Sequence, residues 1–547
     1  MKLTNLQLAQ NVLNELYLQG VRDICVCAGA RNSVFLSQLS YANSLFNVYH
    51  FFEERCASFF ALGKIKKNKK PVAVITTSGT AVANLLPAVV EAYYEQLPLV
   101  LITSDRPKSY RGSGAPQSID QVGIFSTYVT KQYDYDGWDI VRFAIQEDPI
   151  HLNICFTGAL HLTPVALDLV SFNKWKLKND IEIPPKDYEV RKKQRRNEGL
   201  NTWQLQFFKN LLSSNLKPLV IIGELPLDLQ KKAAKWLSKN DLDFFAEPLS
   251  GLQDQRSYEE PTLSFLSYDY VLRLGGVPLT SFWRNLEESK DHVVNISDKS
   301  FSGLSYNDEV FDIYEFFNSW GLLKIPDYSF KNKMKYNSYV INEMSELRKQ
   351  IKPKTFSNSE PLYIKKLANI IPKKSHIFLA NSLPIRLWSE FAKTKNKNFT
   401  YSANRGANGI DGIISSFLGN LTEGVENWLI IGDLSALYDL TALYALPQLK
   451  KYSFKIVIIN NHGGQIFSKI LKKQLSQFKN KNAFLTPHKL DFKNWAKMFS
   501  IDYLRVDSAK DLHRVKKQQQ LVVEVITSNK QSQALYGKQK QLLRELL

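Results

Sequence analysis

The chain has 547 residues, 44% of them apolar and 22% charged, a globular balance with length for several domains and more than one hydrophobic core. That excludes wholesale disorder, and no apolar run approaches the ~18–20 residues of a membrane-crossing helix. Lys and Arg outnumber Asp and Glu by 71 to 52, a net charge of +19, yet the basic residues are scattered and no zinc-finger, basic-zipper or RNP signature accompanies them, which argues against a nucleic-acid face.

Leu6, Leu8, Val12, Leu13, Leu16 and Tyr17 share one helical face, so a helix opens the chain. The same stretch lacks the apolar block of a signal peptide, and four cysteines cannot make a disulfide framework, so the expectation is a soluble, cytoplasmic protein. A short apolar strand over 24–27 ends in the turn Ala28-Gly29-Ala30-Arg31. A second over 72–76 ends in Thr77-Ser78-Gly79-Thr80 before a helix over 81–94, and a third over 99–103 ends in Ser104-Asp105-Arg106-Pro107. Strand, glycine or polar turn, helix is the grammar of a parallel α/β sheet, whose ligands sit beyond the C-terminal strand ends.

Residues 174–196, charged and carrying Pro184-Pro185, read as an interdomain linker. A second α/β block restarts at 218–223, and a polar passage over 331–360 leads to a third, with strands at 377–380, 428–431 and 455–459. The expected fold class is α/β, with three domains over 1–175, 201–330 and 355–547, each a parallel sheet flanked by helices. No short repeat is visible.

The strongest chemical signal is Gly432-Asp433-Leu434-Ser435 closing one strand and Asn460-Asn461 closing the next. Adjacent parallel strands would then present a carboxylate and an amide oxygen side by side, an oxygen set that hard cations favour and phosphate oxygens complete. Ordinary turn residues would read the same way. Phe51-Phe52-Glu53-Glu54-Arg55 sets acids in an apolar stretch, either as salt-bridged structure or as an acid/base with a raised pKa. Cys25 and Cys27 have no ligand partners for zinc, the eight histidines show no ligand spacing, and no Gly-x-Gly-x-x-Gly precedes Asp105.

Gly-Asp…Asn-Asn in a C-terminal block, with a Glu ahead of Ala61-Leu62-Gly63 in an N-terminal one, resembles the thiamine-diphosphate enzyme superfamily. Four longer strings are similar to one family within it, the 2-succinyl-5-enolpyruvyl-6-hydroxy-3-cyclohexene-1-carboxylate synthases, thiamine-dependent carboligases of menaquinone biosynthesis. They are Thr77-Ser-Gly-Thr-Ala-Val-Ala-Asn84, Asn404-Arg-Gly-Ala-Asn-Gly-Ile-Asp-Gly412, Gly432-Asp-Leu-Ser-Ala-Leu-Tyr-Asp439 and Asn460-Asn-His-Gly-Gly-Gln-Ile-Phe467. The match covers the N-terminal block and the C-terminal third; the middle matches weakly.

The resemblance implies pyrimidine-binding, central and diphosphate-binding domains in that order. Glu54 would be the catalytic carboxylate on the aminopyrimidine N1′ of thiamine diphosphate. Asp433, Asn461 and the Gly463 carbonyl would hold Mg2+ (or Mn2+) against the diphosphate. Thr77, Gly79, Ser382, Gly432, Leu434, Ser435, Gln465, Ile466 and Phe467 would line the cofactor site. Ile410 would be the wedge that bends the cofactor, with plain core packing as its other reading.

The implied substrates are 2-oxoglutarate and isochorismate, both dianions that call for several cationic forks. Arg31, Arg106, Arg386 and Arg405 fall in turns after expected strands, with Gln117, Ser382 and Arg284 as further substrate contacts. The family's usual Pro-Gly-Ser-Arg-Ser turn reads Ala28-Gly-Ala-Arg-Asn32 here, which leaves Asn32 and Ser33 as the candidates to replace the serine lost at Ala30; Pro116 stands where an asparagine is usual. Within the superfamily Glu54 and Asp433 would serve one cofactor from different chains, making a homodimer the minimum and a homotetramer an option. The alternative is another thiamine enzyme of acetohydroxyacid-synthase or 2-oxoacid-decarboxylase type, which would need fewer cations.

Overall fold

The structure, a computed structural model, describes residues 2–41, 45–158, 197–214, 216–256, 258–323, 356–392, 394–515 and 520–545. The expected linker over 174–196 and most of the polar passage over 331–360 lie outside these residues. So do the expected domain edges at 175, 330 and 355.

Among the described residues the chain builds three parallel sheets. The first comprises β1 (Asp23–Cys27), β2 (Asn47–Phe51), β3 (Val72–Thr76), β4 (Leu99–Asp105), β5 (Lys131–Tyr135) and β6 (Ile150–Cys155), in the order β2-β1-β3-β4-β6-β5. The second comprises β7 (Pro218–Ile222), β8 (Phe244–Ala246), β9 (Tyr270–Leu274), β10 (Val293–Ser297) and β11 (Val310–Asp312), in the order β11-β10-β9-β7-β8. The third comprises β12 (His376–Leu379), β13 (Thr400–Ser402), β14 (Asn427–Gly432), β15 (Phe454–Asn460), β16 (Asp502–Val506) and β17 (Gln520–Ile526), in the order β13-β12-β14-β15-β17-β16. The α/β class holds, and each strand expected from sequence lies within a residue or two of its place.

Interior strand β3 reads as an apolar run because both its faces are covered. Val72, Ala73, Val74 and Ile75 are wholly buried, whereas edge strand β2 exposes Asn47 and His50. Burying each such Val or Ile contributes about 1.5–3 kcal/mol. The opening helix runs Asn5–Leu18, where Thr4 and Gln7 form a reciprocal cap.

The helix expected over 81–94 is instead two, Thr80–Ala83 and Leu86–Glu95. Pro87 explains the break. It has no N–H for the helix ladder and its ring collides with the carbonyl four residues back, so it is tolerated only where a helix begins.

The chain folds into two compact units. One holds Met1–Lys193 with Asn404–Gly424 and Ser435–Tyr452; the other holds Gln194–Ala403 with Val425–Leu434 and Ser453–Leu547. In the first unit, helix Glu54–Asn68 lies against helix Ile413–Gly419 at glycine distance. A Cβ at Gly63 would stand 2.1 Å from the Ser416 carbonyl oxygen, and one at Gly419 2.1 Å from that of Phe60. The glycine that ends Phe59-Phe60-Ala61-Leu62-Gly63 is therefore a packing requirement. In the second unit, Leu249 and Leu279 from the middle block join the core of the third sheet.

Candidate active site

The strand order reverses between β1 and β3, between β7 and β9 and between β12 and β14, and in the first and third sheets it turns back once more at β6 and β17. Ligands of open α/β sheets bind at the C-terminal ends of such strands. Of the expected residues, Arg31, Thr77, Ser382 and Asp433 lie just past these strands, and Glu54, Arg106, Arg405 and Asn461 just past other strands of the first and third sheets.

In the second unit, β14 and β15 are neighbours with Gly432 opposite Ile459, so Asp433 and Asn461 emerge side by side. Asp433 is buried. Its Oδ1 accepts the Leu434 N–H at 2.7 Å, and its Oδ2 accepts those of Asn461 at 3.1 Å and Gly463 at 3.0 Å. Burial pushes its carboxyl up, against those N–H groups and His488, whose Nε2 stands 3.3 Å away. The Asn461 backbone carbonyl accepts from Asn529 Nδ2 at 3.0 Å, and its Nδ2 donates to Glu360 at 2.7 Å. Only Oδ1 is left, buried and without a hydrogen-bond partner.

A buried unsatisfied acceptor costs about 1–3 kcal/mol, so this oxygen suits an incoming donor or cation. Gly463 sits at φ +137°, and a Cβ there would come 2.3 Å from the Leu485 carbonyl oxygen. Its own carbonyl accepts the Gln465 N–H at 2.9 Å and keeps a second lone pair. A carboxylate, an amide oxygen and a carbonyl make a hard-cation set that phosphate oxygens would complete. Among the described residues no cluster of three or more His, Cys, Asp or Glu offers another metal site. Above Gly432 an added Cβ would meet nothing within 4 Å, which leaves the strand end open.

Ser382 begins helix Leu383–Phe391 at φ +71°, ψ −127°, a conformation that costs a non-glycine residue about 1–3 kcal/mol. Arg386 Nη1 donates to the Ser382 carbonyl at 2.6 Å. Arg386 thus belongs to the first turn of a helix rather than to the turn expected from sequence. Sequence reasoning missed Glu260 nearby, whose carboxyl is pushed up by burial and Glu390 and pulled back by Lys469 and Arg386. Gln465 accepts the Ser468 hydroxyl at 2.9 Å, Ile466 packs on the third-sheet core, and Phe467 is 39% exposed. Arg284 lies on the exposed side of helix Ser281–Ser289, which buries Phe282, Trp283 and Leu286, so it follows no strand end directly.

In the first unit the two glutamates divide their work. Glu53 caps helix Glu54–Asn68, accepting the Arg55 N–H at 3.0 Å and the Cys56 N–H at 3.2 Å, with the Thr441 hydroxyl at 3.2 Å. Burial pushes its carboxyl up, but Cys56, Arg55 and Thr441 outweigh that and hold it below the usual value. Glu54, half-buried, has one side-chain hydrogen bond among the described residues, from Asn84 Nδ2 at 3.5 Å. Of the two, Glu54 has the less heavily bonded carboxylate.

The turns after β1 and β3 meet: a Cβ on Gly29 would lie 2.5 Å from Thr77 Cβ. Thr77 Oγ1 is buried without a partner, and Gly79, at φ +86°, lies against exposed Gln117. Asn32 is spent on bracing its own turn, accepting the Gly29 N–H and donating to the Cys27 carbonyl, both at 2.8 Å. Ser33 donates to the Ala30 carbonyl at 2.7 Å. Partial burial and the neighbouring Arg106 lower the Arg31 guanidinium pKa, so two cations face one region. Arg106 gives two N–H groups to the Pro116 carbonyl, at 3.1 and 2.9 Å, and so holds the loop that carries Gln117.

The Asn404–Gly406 turn is clamped by acids that sequence reasoning passed over. Arg405 N–H donates to Glu95, and Gly406 and Ala407 N–H donate to Glu91 at 2.9 and 2.8 Å. Lys66 pairs with Glu95 at 2.7 Å and reaches Asn404 Oδ1 at 2.8 Å. The visible signal was two acids four apart on an otherwise apolar helix face. The Ile410 carbonyl accepts the Ser435 hydroxyl at 2.6 Å.

A family model described as thiamine pyrophosphate enzyme, N-terminal TPP binding domain, matches residues 6–124. A 2-succinyl-5-enolpyruvyl-6-hydroxy-3-cyclohexene-1-carboxylate synthase of Bdellovibrio bacteriovorus is 37% identical over 519 residues, 92% of either chain. Its namesake in Akkermansia muciniphila is 32% identical over 550 residues, 96% of this chain and 97% of that one. Another in Staphylococcus aureus is 29% identical over 587 residues, 98% and 97% of the two chains. With relatives 37% and 32% identical over 92% and 96% of its length, this chain belongs to the 2-succinyl-5-enolpyruvyl-6-hydroxy-3-cyclohexene-1-carboxylate synthase family of thiamine-diphosphate enzymes.

Proposed function

We propose that the protein decarboxylates 2-oxoglutarate and joins the remaining succinyl-semialdehyde unit to isochorismate, giving 2-succinyl-5-enolpyruvyl-6-hydroxy-3-cyclohexene-1-carboxylate and CO2 in menaquinone biosynthesis. Thiamine diphosphate, when bound, supplies a nucleophilic carbon and an electron sink for the bond to the departing carboxylate. Glu54 shares a proton with the aminopyrimidine N1′, a role suited to its half-buried, lightly bonded carboxylate. Asp433, Asn461 and the Gly463 carbonyl hold Mg2+ or Mn2+, and the observation that supports this most directly is the buried, unpartnered Oδ1 of Asn461, the residue whose N–H donates to Asp433. Thr77, Gly79, Gly432, Leu434, Ser435, Gln465, Ile466 and Phe467 line the cofactor, with Ile410 as the wedge.

Arg386 and Arg405, with Ser382, bind 2-oxoglutarate; Arg31, Arg106 and Gln117 bind isochorismate, and Arg284 assists from the middle block. The working form is a cytoplasmic homodimer or homotetramer. No helix among the described residues is long and apolar enough to cross a membrane. The test is incubation with thiamine diphosphate, Mg2+, 2-oxoglutarate and isochorismate, followed by product mass. The adduct mass with CO2 release is expected; equal turnover of pyruvate would overturn the substrate assignment.

A further inference from the structure

The two ends of an asparagine amide have nearly the same shape, so its hydrogen-bond partners decide which end faces a site. Around Asn461 that decision falls to Glu360. This residue opens helix Glu360–Ile370, is 2% exposed, and is tied at its N–H to Ser532 Oγ at 3.0 Å. Its Oε1 accepts from Asn461 Nδ2 at 2.7 Å and its Oε2 from the Tyr536 hydroxyl at 3.3 Å. Tyr536 and Asn529 both come from the C-terminal helix Asn529–Glu545, so this helix and the start of Glu360–Ile370 together brace Asn461.

We propose that Glu360 is a positioning residue for the divalent cation, holding the Asn461 side chain with its nitrogen on Glu360 and its oxygen left for the cation. This rests on the metal assignment above. With Glu360 in place, a flipped amide would set its oxygen against a carboxylate and aim an NH2 group at the cation. Without Glu360 no acceptor holds the NH2 group away from the cation, so the flipped amide competes with the orientation that binds it.

The experiment is calorimetric titration of Mg2+ into the full-length protein saturated with thiamine diphosphate, with thermal melting as the check on folding. E360M should weaken Mg2+ binding on the order of 10–100-fold, the scale of residues that orient metal ligands. E360Q, which keeps an acceptor oxygen, should stay within about threefold of the native protein. In an N461D background, where both ends of the side chain are oxygen, removing Glu360 should cost nothing or tighten binding. Unchanged affinity in E360M, or an equal loss in both backgrounds, overturns the inference while leaving the metal site standing. Full Mg2+ affinity in N461A overturns the metal assignment itself, and the inference with it. If E360M does not fold, the comparison of N461D with N461D/E360Q decides: relief of carboxylate repulsion supports the proposal, and no relief overturns it.

Discussion

The first and third sheets have the same strand order: numbered within each sheet along the chain, both run 2-1-3-4-6-5. β3 and β14 occupy one position, β4 and β15 the next, and β2 and β13 one edge. Their strand ends nonetheless differ in chemistry. Where the first sheet ends in Thr77-Ser78-Gly79 and Asp105-Arg106, the third ends in Asp433 and Asn460-Asn461. Where β2 leads to Glu53-Glu54, β13 leads to Asn404-Arg405. Topology sets where a ligand can be met, and a few residues past each strand set what is met there. The third sheet's ends carry oxygens of the kind a hard cation takes; the first sheet's carry a half-buried carboxylate and, separately, the pair Arg31 and Arg106.

The contrast breaks most severely if the cation is not the third sheet's business. Asp433→Ala should abolish Mg2+-dependent binding of thiamine diphosphate while the protein still melts cooperatively. Calorimetry showing unchanged cofactor affinity would remove the distinction between the two strand ends.

A test of the first sheet comes next. Glu54→Gln should retain cofactor binding but lose roughly 10²–10⁴ in rate, the usual scale for a positioned acid or base. Glu53→Gln should instead act through the helix cap, lowering stability by about 0.5–2 kcal/mol and shifting the melting temperature more than the rate. The reverse pattern would mean that the cap and the chemistry had been assigned to the wrong neighbours.

The arginines sharpen the comparison further. Arg386→Ala should reduce kcat/KM for 2-oxoglutarate about 10- to 150-fold, from a lost charge-assisted bond of roughly 1.5–3 kcal/mol. Arg31→Ala should fall mainly on isochorismate. Arg106→Ala should do the same, partly through Gln117, because its guanidinium holds the Pro116 carbonyl. Equal damage to both substrates from every change would show that the two pockets are not divided between the sheets.

Much of this was readable before any coordinates. Residues 72–75 and 456–459 announce themselves as apolar runs closed by polar turns, so the strand ends and the residues just past them follow from local pattern alone. What stayed hidden depends on distant partners. Nothing near Glu360 marks it as a brace for a residue 101 positions later, and nothing near Asn32 shows that both ends of its amide serve its own turn. Arg386 could be named but not placed, since sequence marks the end of β12 but not that Ser382 adopts a rare backbone conformation to start a helix at once. Pro87 did carry its signal, and helical periodicity masked it.

The smallest expected effect concerns the loop that carries Arg405. Glu91 and Glu95 are both buried, with Lys66 the cation at Glu95 and backbone N–H groups the donors to Glu91. Burial and the Glu95 charge push the Glu91 carboxyl up to about 7. Its folded pKa therefore exceeds its unfolded one, and the folded state holds a proton that the unfolded state has already released between about pH 4.5 and 7. Stability from this group is fully present below the unfolded value and is lost as pH rises through 7, by on the order of 1–3 kcal/mol. The melting temperature should accordingly fall between pH 5.5 and 8. Glu91→Gln cannot titrate and gives up one acceptor to the Ala407 N–H, so it should be less stable at low pH but show a flatter slope. Parallel slopes for the two proteins would mean that Glu91 is ionised throughout, with Lys66 neutralising the pair as a whole.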